Sequence, residues 1–451
     1  MKARPLTTRE IVGYGLGDMG FNFYWTNIAT FLLIFYTDVY GITAAAAATM
    51  LFVVKIANAF TDPLIGALAD RTRTRWGQYR PFLLFMPLPL AVVGVLTYST
   101  PDFGPTGKLA WAYATYLLLM TLYTSANLPY AALSGVITAD ARERNAVNAS
   151  RFIAGFAGGT LVTAASPRLV QWLGAGDAAR GWTLTMVVWS LAAAAIFAIT
   201  FSTTSERVQP VQASPSTVRQ DLADLRSNKP WILLFFLALI IMGGITLRMT
   251  SAAYYFKYVV NRPELLATFV PAYLLAAAAG TAMTPLLTRW VDKRKLMIGL
   301  MLASTVLSTA FLFVPNDAIV LMYVLQVALG LALGPKSPLS FSMLADSADY
   351  NEWRHGRRAT AMTFAASSFA QKLGTAVAVA VIGALFSALG YVPNATQSAQ
   401  SQTGIIWLMS VIPAAFTLMA AVLMVFYTLD NPTMARIQAD LARRKSSSAA
   451  P

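Results

Sequence analysis

The chain has 451 residues, 57% hydrophobic and 12% charged, with mean hydropathy +0.56 and a formal net charge of +14. A soluble domain carries roughly a quarter charged residues, so this balance indicates a bilayer-embedded chain, with the positive charge on loops rather than on a nucleic-acid surface. With no cysteine and one histidine, disulfides, thiolate chemistry and multi-histidine metal sites are excluded; no phosphate-binding glycine loop or nucleophile elbow occurs, so no enzyme activity or cofactor is expected.

Met1-Lys2-Ala3-Arg4 resembles the charged start of a signal peptide, but Glu10 and Asp18 follow in a segment too long for one. It reads as the first of twelve apolar segments, each near the ~20 residues that span a bilayer. Their approximate bounds are 10–37, 42–69, 80–99, 109–137, 150–173, 181–203, 230–259, 265–289, 296–314, 319–347, 359–390 and 404–428. The polar stretch 204–229 separates segments one to six (1–203) from seven to twelve (230–428) and is expected to be a cytoplasmic linker. Residues 429–451 form a cytoplasmic tail, disordered over Ser446–Pro451. Lys and Arg accumulate on one set of loops, including Arg71, Arg73, Arg75 and Arg80, and Arg289, Lys293, Arg294 and Lys295. That bias puts both termini in the cytoplasm. The fold class expected is an all-α membrane protein of two six-helix bundles.

Polar residues inside the segments fall on stripes. In the first, Asp18, Asn22 and Trp25 are spaced four and three, one helical face. A carboxylate, an amide and an indole suit a sugar; the alternative is helix–helix hydrogen bonding, or plain packing for Trp25. In the second, Lys55, Asn58 and Asp62 repeat the spacing. Asp62 precedes Asp70 by eight residues, roughly 12 Å at a helical rise of ~1.5 Å per residue, well inside the bilayer if Asp70 is at its surface. A charge there costs about 3 kcal/mol or more, so this stripe faces a wet cavity or partners; a structural ion pair of Asp62 is the alternative. The fourth segment carries Thr124, Asn127 and Pro129. The fifth begins with Arg151 beside Gly155, Gly158 and Gly159, which allow close packing; snorkelling to the surface is the rival account. Arg248 in the seventh segment reads equally as cavity or structural. Lys336-Ser337-Pro338 in the tenth and Lys372 in the eleventh read as cavity residues, with snorkelling the rival account of Lys336 and a structural role the alternative for Lys372; His355 reads as a solvated loop histidine.

Two constant offsets relate the halves. Thr61-Asp62-Pro63-Leu64 aligns with Met283-Thr284-Pro285-Leu286, with Asp62 opposite Thr284 and Asp70-Arg71 opposite Asp292-Lys293. Pro129 aligns with Pro338, Asp140 with Asp349, and Asn127 with Lys336. Internal repeats around a midplane site are how secondary transporters are built; a chance match of loop-flanking segments is the alternative.

Several of these residues resemble a known family. The motifs are Tyr14-Gly15-Leu16-Gly17-Asp18, Phe35-Tyr36-Thr37-Asp38-Val39-Tyr40-Gly41, Thr61-Asp62-Pro63, Arg75-Trp76-Gly77-Gln78-Tyr79-Arg80-Pro81, Leu128-Pro129-Tyr130 and Leu344-Ala345-Asp346-Ser347-Ala348-Asp349-Tyr350-Asn351-Glu352-Trp353. They are similar to those of the melibiose-permease-like glycoside–pentoside–hexuronide:cation symporters of the major facilitator superfamily. The resemblance implies two six-helix bundles that alternate access to a central cavity. The family's cation motif on helix two, Asp-x-x-Asn-Asp-Pro, reads here Asn58-Ala59-Phe60-Thr61-Asp62-Pro63, which keeps only the second acid. A family threonine ligand falls at Thr124, the sugar-binding acids at Asn22 and Asn127, the arginine at Arg151 and the lysine at Lys372.

The resulting expectation is an inner-membrane symporter of a sugar or glycoside, monomeric and lipid-embedded. Asp18, Asn22, Trp25, Asn127, Arg151, Lys336 and Lys372 would bind substrate, and Asn58, Thr61, Asp62 and Thr124 would couple the cation. Asn22, Asn127, Arg151 and Lys372 are expected to line one midplane cavity, with Lys336 opposite Asn127 and selecting an acidic sugar. One carboxylate suffices for H⁺, whereas Na⁺ wants several oxygens around net negative charge. H⁺ on Asp62 is therefore expected, with Na⁺ completed by the neutral oxygens as the alternative. A carrier of lysolipid-like cargo or a non-transporting sensor are the other functions this chain admits.

Overall fold

The computed structural model describes residues 5–138, 141–207, 226–355 and 360–448. Among them sixteen α-helices follow one another: α1 (Thr8–Ile34), α2 (Ala44–Arg71), α3 (Arg80–Phe85), α4 (Pro87–Thr97), α5 (Pro105–Ile137), α6 (Ala141–Gly174), α7 (Ala178–Thr203), α8 (Lys229–Tyr258), α9 (Leu266–Trp290), α10 (Lys293–Ala310), α11 (Ile319–Leu333), α12 (Lys336–His355), α13 (Thr360–Ala388), α14 (Ala399–Met409), α15 (Val411–Val425) and α16 (Asn431–Ser448). The only β pairing among these residues is the isolated bridge Thr74–Gly77.

The helices follow the twelve expected segments, with three segments broken in two. Each break sits beside a proline, which lacks the N–H that would continue the helix: Pro87 at the first position of α4, Pro335 between α11 and α12, and Pro413 in the first turn of α15. At the second break the carbonyl of Gly334 accepts from Thr281 Oγ1 of α9 at 2.9 Å, so the interrupted backbone stays satisfied. Gly334 must lack a side chain, because a Cβ there would lie 2.3 Å from the Ala277 carbonyl oxygen.

Eight helical stretches of the described residues are long and apolar enough to cross a membrane; α1, α5 and α6 are not among them. Those three carry Asp18, Asn22, Thr124, Asn127 and Arg151, whereas Asn58, Thr61, Asp62, Lys336 and Lys372 lie on stretches that do qualify. Two local expectations are corrected. Asn351–His355 form the last turn of α12 rather than a loop, and Ser446–Ser448 complete α16 rather than being disordered. Most of the linker (208–225) and Ala449–Pro451 lie outside the described residues, as do the side chains of Pro63, Asp70 and His355 and the residue Asp140.

By proximity the chain forms two compact units. The first comprises Met1–Val211, Met249–Leu274 and Val379–Ile405. Its helix α1 starts on a capping box: Glu10 N donates to Thr7 Oγ1 at 3.3 Å and Thr7 N to Glu10 Oε2 at 2.8 Å. Glu206 accepts from the backbone N–H groups of Gln78, Tyr79 and Arg80 at 2.7–3.0 Å, so the start of α3 has a carboxylate at its positive end. A polar knot explains why parts of the later chain belong to this unit. The Asp38 carboxylate, 2% exposed, accepts from Lys257 Nζ at 2.5 Å, Tyr391 OH and Thr37 Oγ1 at 2.6 Å, and Tyr258 OH. A carboxylate so surrounded is buried with its lone pairs used.

The second unit comprises Gln212–Arg248, Leu275–Ala378 and Ile406–Pro451. Asp292 caps α10 through the N–H groups of Arg294 and Lys295 at 2.9 and 3.4 Å, and accepts from Asn431 N at 2.8 Å. Lys293 pairs with Asp346 of α12 at 2.6 Å. Trp353 Nε1 donates to Asp440 Oδ2 at 3.2 Å, which docks α16 against α12.

Candidate functional site

The α1 stripe meets α6. Arg151 Nε donates to Asp18 Oδ1 at 2.8 Å, and Asn22 Nδ2 donates to the Asp18 carbonyl at 2.9 Å and to Asp18 Oδ2 at 3.3 Å. The three side chains are half-buried. Their approach depends on Gly155: a Cβ there would lie 2.4 Å from Asp18 Oδ2 and 3.1 Å from Asn22 Nδ2. The Arg151 guanidinium also stands 5.3 Å from the Tyr130 ring centroid. Tyr130 is fixed in turn by Tyr14: the rings stack at 4.6 Å, and each hydroxyl donates to the other's carbonyl, at 3.1 and 2.7 Å. Arg151 is therefore held between a carboxylate and an aromatic face. The cluster keeps the Asn22 amide oxygen and unused guanidinium N–H groups for hydroxyl-rich ligands.

One turn further along α1, Trp25 faces α2. The buried Lys55 ammonium, on a residue 6% exposed, lies 5.7 Å from the indole centroid. A cation over an indole is partly compensated for its lost water. On the same α2 face, Asn58 is fully buried and Thr61 Oγ1 donates to its carbonyl at 2.8 Å. Thr124 Oγ1 of α5 donates to Asn58 Oδ1 at 3.1 Å. Three of the four residues expected to couple the cation thus share one hydrogen-bonded group. The fourth, Asp62, is one turn on from Asn58 and half-buried, with Oδ1 shielded from solvent. The side chain of Asn127, also on α5, is half-buried and makes no hydrogen bond among the described residues.

In the second unit Lys336 opens α12, and Lys372 lies half-buried on α13. A cavity of about 70 Å³ between α8, α12 and α13 is lined by Lys336, Ser337, Ser340, Ser367 and Gln371 on its polar side. On α13 it is Gln371, not the neighbouring Lys372, that lines it. Ser340, Ser367 and Gln371 were not singled out from the sequence. The signal was there: Ser337 and Ser340 are three apart, Ser367 and Gln371 four apart, each pair on one helical face. Arg248 is structural. It is 6% exposed, and Nη2 and Nε donate to Gln326 Oε1 at 2.7 and 3.3 Å, with the guanidinium 4.6 Å over the Phe311 ring.

Residues 13–431 match the family described as MFS/sugar transport protein. The chain is 35% identical over 451 residues to the inner membrane symporter YicJ of Escherichia coli (strain K12), covering 99% of this chain and 97% of that one. It is 34% identical over 435 residues to the isoprimeverose transporter of Lactiplantibacillus pentosus, covering 94% and 89%. The crystal structure of the D-xylose-proton symporter shares the fold, with a TM-score of 0.68 over 93% of this chain and 98% of that one at 14% identity.

Proposed function

The chain belongs to the MFS/sugar transport family, the glycoside–pentoside–hexuronide:cation symporters of the major facilitator superfamily, and from that premise we propose that it carries a sugar or glycoside across the inner membrane together with a cation. It is a membrane transporter, not an enzyme. The observation that carries the substrate reading is the Asp18–Asn22–Arg151 cluster, a charged and amide-bearing group half-buried between α1 and α6. Such a group in a bilayer-spanning chain belongs to a wet pathway. Trp25 supplies an aromatic plane and Asn127 a further polar group from α5, and Lys372 of α13 is a candidate substrate residue by its match to the family's lysine.

The coupling ion in this reading is H⁺, loaded on Asp62. Asn58, Thr61 and Thr124 are neutral, and two of their oxygens already serve one another, so the α2 group offers one carboxylate. Protonation removes that carboxylate's charge without a cage of oxygens, whereas a metal ion would need one. Cation and sugar each favour the closed forms that reorient, and that shared preference couples their fluxes. Both termini face the cytoplasm in this arrangement, a reading the distribution of Lys and Arg supports. Uptake of labelled glycosides into proteoliposomes, with one ion gradient imposed at a time, tests the reading. It expects saturable, uphill accumulation; non-saturating electrogenic flux, or binding without movement, would overturn it.

A further inference from the structure

We propose that the cavity between α8, α12 and α13 is an oxyanion subsite, and that the substrate carries a carboxylate or sulfonate which Lys336 neutralises. This rests on the transport reading for the sugar part of the substrate, but not for the anion itself.

The lining is one-sided in its chemistry. Lys336 brings an ammonium, Ser337, Ser340 and Ser367 bring hydroxyls that can donate, and Gln371 brings an amide N–H₂; among the described residues no acid contributes to the wall. The remaining wall is apolar, with Leu234, Leu237 and Ile241 of α8 facing Phe341 and Leu344 of α12. Among the described residues Lys336 forms no ion pair, and its hydrogen bond is to the neighbouring Ser337 hydroxyl at 3.3 Å. Compare the second unit's Lys293, which has Asp346 at 2.6 Å, and the first unit's Arg151, which has Asp18 at 2.8 Å. Lys336 thus lacks the counterion that Lys293 and Arg151 possess. An ammonium among leucines and serines is poorly solvated, and a bound oxyanion supplies the missing charge, with its remaining oxygens taken up by the hydroxyls.

A neutral glycoside could place a hydroxyl there, but would leave the ammonium without a partner.

The test is ligand-induced thermal stabilisation of the purified full chain. The probes are matched neutral, uronate and 6-sulfonate sugars, plus acetate and methanesulfonate alone. The proteins are wild type, Lys336→Met, Lys336→Arg and Gln371→Ala, each checked for monodispersity. Acidic sugars should bind wild type more tightly than neutral ones. Lys336→Met should weaken them about tenfold to a hundredfold and the neutral ones little, the scale of a hydrogen bond to a charged group. Lys336→Arg should restore most of the difference, and Gln371→Ala should cost severalfold. The carboxylate and sulfonate arms identify which oxyanion fits. Equal losses for acidic and neutral sugars in Lys336→Met would overturn the subsite while leaving sugar transport standing. If no sugar binds but methanesulfonate or acetate stabilises wild type and not Lys336→Met, the sugar reading falls and the subsite stands. No Lys336-dependent response to any anion overturns the subsite outright.

Discussion

Arg151 Nε donates to Asp18 Oδ1 at 2.8 Å, so the carboxylate of the α1 stripe and the guanidinium on α6 are already each other's counterions. Removing one leaves the other charged in a poorly solvated place. A fully buried pair broken from one side costs about 3–5 kcal/mol; here the side chains retain 15% and 27% of their exposure, so about 1–3 kcal/mol is expected. Asp18→Asn and Arg151→Gln should each lower the apparent unfolding temperature. Asp18→Asn combined with Arg151→Gln should recover part of the loss, because neither charge is then orphaned. Strict additivity in a double-mutant cycle would show that the pair is not coupled.

Gly155 gives a second, purely steric prediction. A Cβ at that position would stand 2.4 Å from Asp18 Oδ2, whereas at Gly66 it would meet nothing within 4 Å. Gly155→Val should force α1 and α6 apart and abolish uptake with a marked loss of stability. Gly66→Ala should leave uptake near wild type and raise stability slightly, by about 0.5–1 kcal/mol from helix propensity. Comparable behaviour of the two variants would contradict the close α1–α6 contact.

Asp62→Asn separates coupling from transport. The amide imitates the protonated acid, so sugar exchange across equilibrated vesicles should persist while accumulation driven by an acid exterior disappears. In wild type, a pH gradient alone should drive accumulation and a Na⁺ gradient at symmetrical pH should not. Accumulation under the Na⁺ gradient alone, with no response to pH, would assign the α2 group to Na⁺.

The knot around Asp38 yields a fourth. Four side-chain donors converge on this carboxylate, and the Asp38 carbonyl takes a fifth from Asn394 at 2.5 Å. Asp38→Ala removes the common acceptor and should loosen the packing around it. The chain has no native cysteine, so a single Thr37→Cys, at a position 1% exposed, reports directly. Its labelling by a maleimide should be slow alone and at least about tenfold faster with Asp38→Ala, if that knot governs local opening. An unchanged rate would show that the surrounding aromatic packing, Tyr254 with Phe386 and Tyr391, suffices without the carboxylate.

The sequence by itself determined the helices, their approximate ends and the stripes. The bilayer allows only self-satisfied backbone and penalises charge, so span length and the i, i+4 grouping of Asp18 with Asn22, or Asn58 with Asp62, are legible in one dimension. The prolines at 87, 335 and 413 were equally visible, though that they split helices depended on whether neighbours such as Thr281 satisfied the freed carbonyls. Tertiary structure decided the partners. Asp18 and Arg151 are 133 residues apart, and their contact is set by how deeply α6 can approach α1 at Gly155. Trp25 could have packed anywhere until the register of α2 brought Lys55 over its ring. Arg248 read equally as cavity or structure, and only the fold supplied Gln326 from 78 residues away. Lys336 was visible as an internal charge, but Ser367 and Gln371 come from a different helix, and no periodicity within α12 encodes which face of α13 it meets. Spacing along one helix fixes which side chains share a face; which faces meet is fixed by packing between helices distant in the chain, where small residues and proline breaks set the distance and register.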